Sequence, residues 1–162
     1  MIARTVRWAR IDYQIDLRST EAPVPLGVVI LGVTADGVRA YVAGRAPRPG
    51  SPPPDELKSV GPLGRSQLDG WVTAMAKDVL ASIEKREDPL ETLVSTWCWN
   101  LRVSVADDMA VQQSETLRDV AARLYARHLG IPLPQGALAP LVRANGFPAH
   151  DWSVSEAIYA AA

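Results

Sequence analysis

Disulfides, thiolate metal centres and membrane-spanning helices are what this chain has too little material to build. Of its 162 residues one is a cysteine, Cys98. A single cysteine closes no internal disulfide and cannot supply a thiolate metal site within one chain. Such usage fits a reducing compartment, so a cytoplasmic setting is expected. The longest apolar run, residues 24–33, is interrupted by Pro25, Gly27 and Gly32. It falls well short of the roughly 20 residues that a helix needs to cross a bilayer. The first eight residues carry Arg4 and Arg7 where a signal peptide requires an apolar core. No targeting segment and no membrane association are expected.

An excess of charge of either sign is also missing. There are 17 basic against 18 acidic residues, net −1, which argues against a dedicated nucleic-acid partner. The chain contains no G-x-x-x-x-G-K-[ST], no G-x-G-x-x-G after a strand, no G-x-S-x-G and no H-E-x-x-H. Nucleotide loops, serine-hydrolase elbows and zinc-protease helices therefore lack their carriers, and no cofactor is expected. Gly61-Pro-Leu-Gly64 precedes a helix and offers free N–H groups to an anion, but Pro62 removes one donor.

What is present is ample for a globular core. Hydrophobic residues make up 48% of the chain, so at this length one domain can bury enough apolar surface without a staple. The abundance of Ala, Arg, Val and Pro is the usage of a GC-rich, bacterial genome.

Residues 6–17 alternate: Ala9, Ile11, Tyr13, Ile15 and Leu17 against Arg10, Asp12, Gln14 and Asp16. That period predicts a strand with one dry and one wet face. Residues 24–34 are apolar on both sides, as in a central strand covered on both faces or nearly so. Asp36-Gly37 signals a hairpin, and 38–45 form a third strand. Nine prolines and glycines across residues 46–65 predict a surface loop, whose Arg48-to-Pro54 segment carries a P-x-x-P pattern best read as linker. Ser66 begins a helix with Leu68, Trp71, Val72, Met75, Val79 and Ile83 on one stripe, ending near Glu87 before Asp88-Pro89. Residues 97–105 alternate again as a fourth strand, with Trp97 and Trp99 on its core face. A second helix runs from about Ser114 to Leu129 and stops at Gly130. Ser153-Val-Ser-Glu156 caps a short final helix through Val154, Ile158 and Tyr159.

The expected fold is α+β, in the order β-β-β-α-β-α. A four-stranded, mainly antiparallel sheet carries two amphipathic helices on one face. Residues 1–130 form the core domain, with the 46–65 loop on its surface. Residues 131–162 form an extended tail that packs on the core or on a partner.

Two surfaces attract attention. One is the wet sheet face, Arg10, Asp12, Gln14, Asp16, Asn100 and Arg102, where acid, amide and guanidinium groups together suit a polar ligand. The plainer reading is cross-strand charge pairing on a solvated face. The other is a set of apolar anchors, Trp8, Leu138, Leu141, Phe147, Trp152 and Tyr159. Aromatic anchors in a loose segment are typical of interfaces, including those of homo-oligomers. The leading expectation is a non-catalytic interaction or accessory protein with a protein partner or a second copy of itself. A small polar-ligand binder using the sheet face is an alternative.

A further alternative is an enzyme. The β-β-β-α-β-α order is also the opening order of ribonuclease-H-like nucleases. Those need carboxylates on the first strand, the first helix and the end of the fourth strand to hold two Mg²⁺ ions. Asp12 or Asp16, Asp78 or Glu84, and Asp107 or Asp108 occupy these segments, although topology alone does not establish chemistry. Of the two histidines, His128 sits in the apolar stripe of the second helix, where a hydrogen-bonded role near the helix C-terminus is expected. His150 neighbours Asp151 along the chain, where side chains do not converge. Cys98 is read as a small buried thiol.

Overall fold

The computed structural model describes residues 5–18, 22–34, 37–45, 68, 70–85, 87–98, 100–106, 116–133 and 138–141. Alternating residues build β1 (Thr5–Tyr13) and β3 (Gly37–Gly44), and a run apolar on both sides builds β2 (Val24–Thr34) between them, as an antiparallel meander. Thr34 pairs with Gly37, which leaves two residues to turn between β2 and β3. Helices α1 (Trp71–Glu84) and α2 (Pro89–Thr96) follow, then β4 (Leu101–Val105), α3 (Leu117–Leu129) and β5 (Leu138–Leu141). The sheet order is β4-β1-β2-β3-β5, with every neighbouring pair antiparallel. The α+β class and the antiparallel sheet are as the residue pattern predicts.

The helices, however, divide between the two faces instead of sharing one. Ala9, Ile11, Val29, Leu31, Ala40 and Val42 point to the side of α1 and α2, where Trp71, Met75, Val79, Leu90 and Leu93 meet them. Val6, Trp8, Val28, Ile30, Tyr41 and Ala43 point the other way, beneath Leu117, Val120, Leu124 and Tyr125 of α3. The reason lies in β2. Its side chains are buried on both sides, and each fully buried aliphatic side chain is worth about 1.5–3 kcal/mol. One helical layer could cover only half of them.

Close approach fixes both layers. A Cβ on Gly44 would collide with the Trp71 ring, and one on Gly32 would lie 2.6 Å from Leu117 Cδ1. At Gly44 the missing side chain lets α1 lie flush on the sheet, and at Gly32 it leaves room for the Leu117 methyl groups.

Several boundaries move for physical reasons. β1 ends at Tyr13, and the next residue is turned off the ladder: Gln14 N–H donates to Asn100 O, and Asn100 Nδ2 donates back to Gln14 O. Residues 89–96, adjoining the Asp88-Pro89 pair read as a helix stop, are α2. Asp88 is its N-cap, accepting from Leu90 N–H at 3.0 Å, and Pro89 takes the first turn, where its missing donor costs nothing. Trp97 therefore closes a helix rather than opening a strand, and β4 begins at Leu101. Helix α3 begins after Thr116, not Ser114. Thr116 Oγ1 accepts from Asp119 N–H, and the Asp119 carboxylate accepts from Thr116 N–H. Gly130 ends it in the left-handed conformation, φ 73°. The 46–65 loop and the final helix expected from Ser153 through Tyr159 lie outside the described residues.

Candidate functional site

The polar residues of β1 converge on the α3 side of the sheet. Arg10 and Asp12 share a face with Val6 and Trp8, since strand side chains alternate. β4 pairs antiparallel with β1, setting Ser104 beside Arg10 and Arg102 beside Asp12. Directly paired residues point to the same side, so Arg10, Asp12, Arg102 and Ser104 form one patch. Helix α3 covers the apolar end of this face and reaches its edge at His128. There His128 donates Nε2–H to Asp12 Oδ1 at 2.9 Å, across 116 residues of sequence. The two side chains are 13% and 16% exposed, so their pairing is sheltered from bulk water.

A β-bulge helps aim Asp12. The β1–β2 register shifts between Ile11 and Asp12: Ile11 pairs with Gly27, Asp12 with Pro25, and Leu26 is the extra residue. Bulges bend a strand locally and redirect the side chains beside them. Pro25 has no N–H to offer the ladder, and such a residue is tolerated at a bulge. Gly27 is required there because a Cβ would run into Ala43 O.

Helix α3 adds a wall. Burial raises the Tyr125 phenol above its ordinary value near 10, and Arg45, just beyond β3, opposes the shift. Tyr125 therefore marks the flank of α3 that leans toward β3. At about 100° per residue, Arg123 and Arg127 lie about 160° around the axis from Tyr125, on the flank turned toward β1 and β4. Arg10, Arg102 and Arg127 are exposed, and among the described residues their guanidinium groups have no hydrogen-bond or ion-pair partner. The result is a strip of free guanidinium groups around a sheltered His–Asp pair.

Other candidates fall elsewhere. Asp16 lies past the end of β1 in a turn, exposed, with Oδ1 accepting from Arg18 N–H. Gln14 is buried, and its side chain donates to Asp16 O. Asn100 is committed to the Gln14 carbonyl. The expectation that Trp8 anchors an interface is corrected: it is 7% exposed and packs within this chain under α3, because its alternation places it beside Val6. Leu138 and Leu141 lie in β5, which pairs with β3 from Ala40 to Ala43. Phe147, Trp152 and Tyr159 lie outside the described residues. Cys98 is exposed, which corrects the buried-thiol reading; it forms an isolated bridge to Arg102 in the turn between α2 and β4.

Of the acidic constellation, Asp12 and Asp78 do not come together. Asp12 meets α3, whereas Asp78 lies across the sheet on α1, accepting from Trp97 Nε1 at 2.8 Å. Among the described residues no group of three or more His, Cys, Asp or Glu is placed to hold a metal ion. Asp107 and Asp108 lie outside them. Nor is any helix among the described residues long and apolar enough to cross a membrane. No family model, curated protein or solved structure matches the chain.

Proposed function

We propose that the protein is a non-catalytic binding module whose recognition surface is the Arg10/Asp12/Arg102/His128 strip, and that it takes a small anionic ligand. The observation that carries this reading is the set of exposed guanidinium groups left without partners on one face. Paired arginines on a solvated face contribute little. Unpartnered ones carried by adjacent strands and by the neighbouring flank of α3 retain all their donors for a guest. The His128–Asp12 hydrogen bond supplies a fixed floor, because neither side chain is free to swing into solvent.

The test is a thermal-shift panel of small phosphates, carboxylates and neutral sugars. Anions should raise the melting temperature and sugars should not. The Arg10→Gln/Arg102→Gln double variant should lose the anion effect while melting close to the parent. Equal shifts for parent and double variant would place binding elsewhere.

A further inference from the structure

We infer that the strip is built for a phosphate monoester, with its three terminal oxygens and double charge, rather than for a carboxylate; this rests on the anion-binding reading above. Three features of the strip bear on ligand class. The first is charge. Arg10, Arg102 and Arg127 contribute three positive charges and Asp12 one negative, a balance of +2 over these four side chains. A phosphate monoester above its second ionisation, near pH 6, carries the matching −2.

The second is direction. A carboxylate has two coplanar oxygens, and one guanidinium fork satisfies both. Here donors come from separate walls. Arg102 and Ser104 rise from β4 and Arg10 from β1, while Arg127 comes from the flank of α3. Arg10 and Arg102 are diagonal neighbours on adjacent strands, roughly 7–8 Å apart at the backbone, within reach of one tetrahedral group between them. Three terminal oxygens facing different ways use such donors; two coplanar ones do not.

The third is the acid in the floor. An unattached carboxylate among the arginines would neutralise one of them and repel the guest. Asp12 is instead spent on His128 at 2.9 Å. The histidine holds the carboxylate back from the guanidinium groups, so His128 is a positioning residue for the site.

Isothermal titration of the full chain at a pH where monoesters are doubly charged decides the class. Phenyl phosphate is the probe; dimethyl phosphate, acetate and succinate are the comparisons. Phenyl phosphate should bind about tenfold or more tighter than each of these, since it alone offers three terminal oxygens with two charges. Arg102→Gln and Arg127→Gln should each weaken it about tenfold, the scale of one lost charge-assisted contact. Lys77→Gln, on α1 across the sheet, should leave it unchanged. Acetate or succinate binding as tightly as phenyl phosphate would overturn the ligand class while leaving the anion-binding surface standing. Binding of none of the four would remove both. The source of the phosphate is read separately, by sedimentation with phosphatidylcholine vesicles with and without phosphatidate. Co-sedimentation with phosphatidate alone supports the class with a lipid source. Phenyl phosphate binding without co-sedimentation supports it with a free metabolite.

Discussion

The two faces of the sheet are finished to different standards. On the α1/α2 face both described indoles have a partner: Trp71 Nε1 donates to Arg45 O at 3.1 Å, and Trp97 Nε1 to Asp78 Oδ2 at 2.8 Å. On the α3 face Trp8 Nε1 and the Tyr125 hydroxyl are buried without any hydrogen bond. An orphaned buried polar group costs about 1–3 kcal/mol relative to a satisfied one. The α1/α2 layer therefore holds the fold. The α3 layer gives up some stability and carries the free arginines. The proposed recognition surface and the incomplete packing share a side of this molecule.

Substitutions can break or sharpen that contrast. The largest effect belongs to Gly44→Val, which drives methyl groups into the Trp71 ring; overpacking of this kind costs about 1–3 kcal/mol or more. Chemical denaturation should show a large fall in midpoint, and a midpoint near the parent's would mean that α1 rides on the sheet more loosely than the geometry indicates. Next are the matched indole replacements. Trp97→Phe should cost about 1–3 kcal/mol, because it also strands the Asp78 carboxylate. Trp8→Phe loses no hydrogen bond, so only its smaller ring counts against it, and the difference between the two variants measures the asymmetry directly. Tyr125→Phe removes an orphaned hydroxyl and should be neutral or stabilising at neutral pH.

Tyr125→Phe also carries a pH signature. Burial raises the folded-state pKa of Tyr125 and Tyr13 above the ordinary value near 10. The folded protein then holds its phenolic protons more tightly than the unfolded chain. That contribution is complete below pH 10 and is lost as pH rises toward the raised folded values. The melting temperature should fall above pH 10, less steeply in Tyr125→Phe. The smallest effect lies at the start of α3. The hydrogen bonds with Thr116 lower the Asp119 carboxyl below its ordinary 3.8. Its contribution is present above that value and is lost as pH falls through the lowered one. Melting curves of the parent and Asp119→Asn should differ slightly at neutral pH and converge in acid.

Much of this layout was legible in the residue order. Period-two alternation placed β1 and β3 because half-buried strands expose their period directly, and a continuous apolar run placed β2 as the covered strand between them. Arg10, Asp12 and Arg102 came out on one wet face for the same reason. Two failures have physical causes. Asp88-Pro89 reads equally as a stop for one helix and as the cap and first turn of another; Glu91, at the third position after the cap, was the available signal. The His128–Asp12 contact joins positions 116 residues apart, beyond any local pattern. It follows once α3 is set on the Asp12 side, and β2 held the hint: Val28 and Ile30 on one side, Val29 and Leu31 on the other, require cover on both. Ser104 and Arg127 escaped notice because an isolated serine on a strand and an arginine beside an apolar stripe are ordinary until the register brings them together.

Asp88 does more than begin a helix. Its Oδ2 accepts from Arg7 of β1 at 2.8 Å while its Oδ1 caps α2, so one carboxylate sets where α2 stands against the sheet. At the far end of that helix Trp97 is tethered through Asp78, and only five residues later the chain presents Arg102 on the opposite face. Five residues span at most about 18 Å, little more than the depth of the sheet and its inner layer. The aim of a guanidinium on one side is thus calibrated by two carboxylates on the other. Drift in the rear layer would be transmitted to the arginine strip as a change of angle, with no residue of the strip itself altered.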